Sequence, residues 1–137
     1  MVARFEIDAS KLTNHPLGIA AVKFADLVAH QGKVDEAAAT YLADPYIQHN
    51  PRSADGVEAF CAGMKAIAKA APNRRYDIKR VFVDDDFVIL HSHVTNGPGD
   101  RGVVIVDIYR AVGGKFVEHW DVQQPVPEAS ANNNTMF

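Results

Sequence analysis

The chain carries a single cysteine, Cys61, so it closes no internal disulfide and builds no multi-cysteine metal site. It lacks any apolar run of transmembrane length. Its N-terminus alternates Phe5 and Ile7 with Arg4, Glu6 and Asp8, where a secretory leader would be continuously apolar. These absences predict a cytoplasmic protein. A dense run of Lys or Arg is also missing. The 14 basic residues are set against 17 acidic ones for a net charge of −3, which argues against nucleic acid or an anionic membrane as the main partner. The most compact basic group, Arg74 and Arg75 with Lys79 and Arg80, reads as a solvated face. No nucleophile elbow, phosphate-cradling glycine motif or dinucleotide fingerprint is present.

What remains is an ordinary globular composition, 47% hydrophobic and 23% charged over 137 residues, enough for one domain with a real core. The expected domain spans 1–137, with its core at about 14–125 and a Pro/Asn-rich tail over 126–137, whose Met136 and Phe137 could dock on an apolar surface. The chain is organised around residues 74–124. Runs rich in Val, Ile, Phe and Tyr at 74–83, 87–94, 103–110 and 115–122 alternate with turn-forming links at Asp84 to Asp86, at 95–102 and at Gly113-Gly114. That pattern predicts four antiparallel strands in series.

Upstream, Leu17, Ala20, Ala21, Phe24, Leu27 and Val28 recur at helical spacing from Asn14 onward, with Pro16 suited to the first turn and Gly32 to the stop. A second helix is expected over 33–43 and a third over 55–70. In the third, Asp55 is the expected N-cap, Glu58 sits at capping-box spacing, and Val57, Phe60, Cys61, Met64 and Ile67 form the inward stripe. Cys61 reads there as a small core residue rather than a nucleophile. Between them, Tyr46 to Pro51 reads as a short extended piece ending in a turn. Residues 1–13 stay open between a short strand and irregular chain. The fold class is therefore α+β: three N-terminal helices packed on a strongly curved antiparallel sheet, with an apolar pocket between them.

The strands carry titratable residues in otherwise apolar runs, and such groups need partners or a purpose. Period-two alternation puts His91 with His93, Asp107 with Tyr109, and His119 with Asp121 and Gln123, while Glu118 and Trp120 point the other way. Whether Asp107 meets Asp121 depends on the hairpin. A strict two-residue turn at Gly113-Gly114 opposes Asp107 to Trp120, whereas a three-residue turn or a glycine bulge opposes it to Asp121. Two carboxyls in one apolar pocket cannot both ionise easily, which suits them to complementary acid and base roles. In the plainer alternative Asp121 only pairs with Arg110 or Lys115. A metal site built on His91 and His93 is a further alternative, on ligand type rather than on diagnostic spacing.

The three helices, the Tyr-Ile-Gln-His-Asn-Pro segment at 46–51, Val-Asp-Ile-Tyr-Arg at 106–110, Gly-Gly-Lys at 113–115 and Glu-His-Trp-Asp-Val at 118–122 together resemble the SnoaL-like polyketide cyclases of the nuclear transport factor 2-like superfamily. The resemblance covers about 16–125, and the asparagine-rich tail ending in Met-Phe looks like that of a bacterial subgroup. It implies a cone-shaped, cystatin-like fold with an internal pocket, a small-molecule substrate, a homodimer, and aldol-type cyclase or isomerase chemistry without metal or cofactor. It implies a catalytic aspartate at Asp121. The family's histidine position falls on Asp107, so a carboxyl replaces an imidazole, and His119 could supply the missing ring. The related ketosteroid isomerases carry their base where Asn50 stands, and an amide is no base.

The expected site is then Asp121, Asp107, His119 and His49 as catalytic residues. His91, His93, Tyr109, Tyr46 and Trp120 are expected against the substrate. A binding module without catalysis is the alternative on the same fold. Val88, Leu90, Val104, Val106, Ile108, Phe116 and Trp120 are expected on the outer sheet face, as the contact of a homodimer.

Overall fold

The computed structural model describes residues 5–137, so Arg4 in the N-terminal alternation lies outside the described residues. Residues 5–8 form no strand, and Ala9–Lys11 make a short 3-10 helix whose first turn is capped by the Asp8 carboxylate. Three helices follow the sequence pattern closely: α1 at Pro16–Ala29, α2 at Val34–Tyr41 and α3 at Val57–Ala70. Pro16 opens α1, as its fixed φ favours. The face carrying Ala21, Val22, Phe24 and Ala25 is buried. Phe24 is the hub of the aromatic core, with its ring 5.9 Å from Tyr109, 6.3 Å from Phe116 and 5.5 Å from Phe60.

The strands are β1 at Leu42–Gln48, β2 at Arg75–Asp84, β3 at Phe87–Thr95, β4 at Val103–Val112 and β5 at Lys115–Pro125. Their order in the sheet is β1-β5-β4-β3-β2. The expected antiparallel series is present as β2 to β5. The sheet as a whole is mixed, however, because β1 runs parallel to β5. The segment read as a short extended piece is thus a full edge strand that begins right after α2.

The first turn of α3 also differs from expectation. The residue before it is Gly56 at φ +100°, with no side-chain cap of its own. Asp44 accepts from the Val57 amide (2.9 Å), while Asp55 accepts from the Gln48 amide (2.7 Å) and so fastens the end of β1. No residue of α3 is fully buried. Its stripe is where periodicity predicts it, but Met64 and Ile67 face a cavity, which Phe60 also lines while packing on Phe24.

Two irregularities set the sheet's register. Val112 opposes Lys115 across the two-residue Gly113-Gly114 turn, and both glycines have positive φ, +58° and +80°. A bulge then places Val117 as the extra residue on β5, between the pairs Ala111–Phe116 and Arg110–Glu118. The result is that Asp107 opposes Asp121. In β3 the buried phase is Val88, Leu90, Ser92 and Val94. His91 and His93 therefore point to the outer face, and Val88, Leu90 and Phe116 lie in the core rather than on that face. Val104, Val106, Ile108 and Trp120 do occupy the outer-face phase of their strands, against the inward Asp107 and Asp121.

Candidate functional site

A cavity of about 1060 Å³ lies between the inner sheet face, α1 and α3. Its walls are largely apolar. Tyr46 and Tyr109, expected to meet substrate, line it and are nearly buried. Burial, reinforced by the nearby Asp107 and Asp121, pushes both phenols well above the ordinary tyrosine range, so they stand neutral.

Into this cavity converge Asp107 from β4, His119 and Asp121 from β5, Gln48 from β1, Asn50 from the turn after it, and Tyr76 from β2. One oxygen from each aspartate and one ring nitrogen of His119 lie within 4.8 Å of one another. His119 Nε2 is 2.8 Å from Asp107 Oδ1 and 3.9 Å from Asp121 Oδ2. The other oxygen of Asp107 accepts from the Tyr76 hydroxyl. Asp121 is held by the Asn50 amide, which donates to both carboxylate oxygens at 3.0 and 2.9 Å. Arg110 and Lys115 do not serve it: Arg110 bonds Glu118 (2.7 Å) and Lys115 donates to the Ala39 carbonyl (2.7 Å).

The hydrogen-bond inventory fixes where the protons sit. The Asn50 backbone amide donates to Gln48 Oε1 at 3.3 Å, so that oxygen is an acceptor, and His119 Nδ1, 2.7 Å from it, must carry a hydrogen. His119 Nε2 and Asp107 Oδ1 then share one further proton across 2.8 Å. The pair is either imidazolium with carboxylate or imidazole with carboxylic acid, and in both forms it can release one proton toward the cavity. Asp121 beside it only accepts hydrogen bonds, both from Asn50.

The other expected site residues are elsewhere. Gln48 and Asn50 line the cavity, and His49 between them turns outward, where its Nε2 meets Glu118 Oε2 at 2.7 Å and its ring stacks on Trp120 with centroids 4.6 Å apart. His49 and then Arg110 hold the Glu118 carboxyl below its usual range. His91 accepts from Arg80 through Nδ1 (2.5 Å), and His93 donates through Nε2 to the Arg101 carbonyl (2.8 Å), both on the outer face. His49, His91, His93 and Trp120 are thus not cavity residues. A metal site on His91 and His93 finds no third ligand, since Asp107, His119 and Asp121 form the sole such cluster among the described residues. Gln48, Asn50 and Tyr76 were not singled out by sequence reasoning as members of the site. The alternation around the Gln-His-Asn segment could have flagged the first two, but nothing local marks Tyr76.

The sequence matches the SnoaL-like domain family over residues 21–119. No curated protein matches it. Among solved structures, a candidate polyketide cyclase from Bacillus cereus is 21% identical with a TM-score of 0.67, covering 79% of this chain and 74% of that one. A candidate isomerase of the SnoaL-like family from Agrobacterium tumefaciens superposes with a TM-score of 0.69 at 11% identity, over 80% of this chain and 97% of the other. An uncharacterised cystatin-fold protein from Novosphingobium aromaticivorans is 23% identical with a TM-score of 0.66, over 80% and 99%. At these identities the likeness shows the fold: nuclear transport factor 2-like, α+β.

Proposed function

Because this chain belongs to the SnoaL-like domain family, we propose that its cavity houses a cofactor-independent acid/base enzyme acting on a small apolar carbonyl compound. One observation carries this reading: Asp121, a hydrogen-bond acceptor with no Lys or Arg bonded to it among the described residues, stands beside a proton-bearing His119–Asp107 pair inside a largely apolar cavity. Enolisation needs both halves at once. Asp121 takes the proton from the carbon next to the carbonyl. The His119–Asp107 pair supplies its proton to the oxygen on which charge develops. The enol so formed either closes on a second carbonyl, with formation of a carbon–carbon bond, or takes a proton back at another carbon. The first outcome is an aldol-type cyclisation and the second an isomerisation. Both leave Asp121 and the pair in their starting states. The names of the Bacillus cereus and Agrobacterium tumefaciens proteins, a candidate cyclase and a candidate isomerase, fit the same chemistry.

The test is exchange of α-hydrogens for deuterium in a ketone probe, followed by proton NMR in heavy water. Asp121→Asn removes the base while keeping the shape, and exchange should fall by about 100-fold or more. An unchanged rate would sink the assignment. A second reading, a binding module without turnover, draws on the fact that the carboxylates already have protein partners, Asp107 in His119 and Tyr76 and Asp121 in Asn50. A ligand that raises the melting temperature but never exchanges would favour it.

A further inference from the structure

The acid/base reading leaves two cations in the same cavity without a task. Among the described residues, four arginines have partners. Arg75 lies 3.8 Å over the Phe5 ring, Arg80 meets His91, Arg101 donates to the Val126 carbonyl, and Arg110 bonds Glu118. The two that remain, Arg52 and Arg74, make only backbone hydrogen bonds, and both line the cavity. Arg74, read from sequence as part of a solvated face, is in fact half-buried.

Their positions are not arbitrary. Arg74 immediately precedes β2 and lines the cavity together with Tyr76 and Asp107. Arg52 stands two residues after Asn50, which holds Asp121. Arg74 thus stands on the Tyr76–Asp107 side of the cavity, and Arg52 is an exposed lining residue in the turn that carries Asn50. Burial and then Asp107 push the Tyr76 phenol upward, and Arg74 is the group that opposes them, which places its charge within reach of the cluster. Asp100 also lines the cavity, but its carboxylate is committed to the amides of Asn96 (2.8 Å) and Gly102 (3.0 Å) in its own loop.

The half-buried Arg74 guanidinium, at the cavity wall with no protein acceptor, gives up part of its hydration without compensation unless a ligand supplies the acceptor, while Arg52 is exposed and adds its charge from the rim. The planar fork of a guanidinium matches a carboxylate. A doubly charged group would be repelled by the neighbouring aspartates, whereas a single negative charge spread over two oxygens is not penalised twice. We propose that Arg74 and Arg52 form an anion-binding subsite, and that the cavity's substrate is a keto acid: an apolar carbonyl compound that carries a carboxylate. This rests on the acid/base reading for the carbonyl end of the ligand.

Isothermal titration with 4-oxo-4-phenylbutanoate and with its methyl ester separates the two ideas, because the esters and acids differ only at the anion. The acid should bind about tenfold more tightly or better, the worth of one charge-assisted contact. Arg74→Gln, and separately Arg52→Gln on its exposed loop, should shrink that preference while leaving ester binding unchanged, and Arg74→Lys should restore part of it. Equal affinity for acid and ester, binding of neither, or a preference that survives both glutamine variants would overturn the proposal. If the ester binds equally and its α-hydrogens exchange in an Asp121-dependent way, the acid/base reading stands and the anion subsite falls. If the acid is preferred but neither compound exchanges, the reverse holds.

Discussion

At the scale of single residues, the site is a chain of committed hydrogen bonds, and its least expected member is Tyr76. Its hydroxyl gives Asp107 a donor on the oxygen that His119 does not use. Its backbone amide is itself held, donating to His30 Nε2 (2.9 Å), while His30 Nδ1 donates to the buried Asp26 (2.7 Å). Tyr76→Phe keeps the ring and removes the donor, so the proton shared with His119 shifts toward Asp107. Deuterium exchange should slow by about 10-fold or more, with a changed pH profile and only a small loss of melting temperature. An unaltered profile would make Tyr76 mere packing. Asp107, His119 and Asp121 were legible because charged residues inside apolar strands are conspicuous. Tyr76 was not, since a tyrosine in a strand is ordinary and its partner lies 31 positions away. His91 and His93 were placed inward, and Val88 and Leu90 outward, for one and the same reason. Val88 and Leu90 on one phase and Ile89 on the other give β3 two apolar faces, and only packing against the helices decides which one is buried.

At the scale of elements, positions that look replaceable are fixed by close approach. Gly18 lies in the first turn of α1, where alanine at a free helix position would ordinarily stabilise by up to about 0.5–1 kcal/mol. A Cβ there would sit 2.9 Å from the Thr13 side chain and 3.2 Å from Val81 Cγ1 on β2. Gly18→Ala should therefore destabilise, by roughly 1–3 kcal/mol, and thermal unfolding should show the midpoint fall by several degrees. A raised midpoint would mean that α1 can lift off β2 at no cost. Helix and strand positions were readable to within a few residues, because α1 has a clean helical period and β2 to β5 are runs rich in Val, Ile, Phe and Tyr between turn-forming links. The parallel partner of β1 was not, since Gln48 pairs with His119 across 71 positions and Pro45 interrupts the strand. The capping of α3 by Asp44 instead of Asp55 follows from that same docking of β1. The choice between the two hairpin registers was stated by the sequence but not made. It fell to an inserted Val117, a valine bulge that no local signal announces.

At the scale of the molecule, the outer sheet face sets the last expectation. A row runs across four strands, Phe82 to Ile89 to Ile108 to Trp120, as successive register partners. Phe82 is 53% exposed, and Val122 near the end of the face is 67% exposed. The tail covers another part of it: Phe137 stacks on His93 with centroids 4.2 Å apart and lies 6.2 Å from His91. Docking of the tail thus uses the two histidines as its platform and leaves the Phe82–Trp120 row uncovered by it, with Phe82 exposed and Ile89, Ile108 and Trp120 half-buried. An apolar band of this kind is stabilised by facing its own copy, with sheets about 10 Å apart and roughly 800 Å² buried on each partner. The protein should therefore run as a homodimer in light scattering at micromolar concentration. Ile108→Lys puts a charge at the centre of the row and on the side away from the cavity, so it should yield monomers that still bind the keto-acid probe. A native protein of monomer mass would remove the dimer. A lysine variant that stays dimeric would move the contact away from this row, toward the tail-covered half of the sheet, where cutting back Phe137 would be the substitution to make instead.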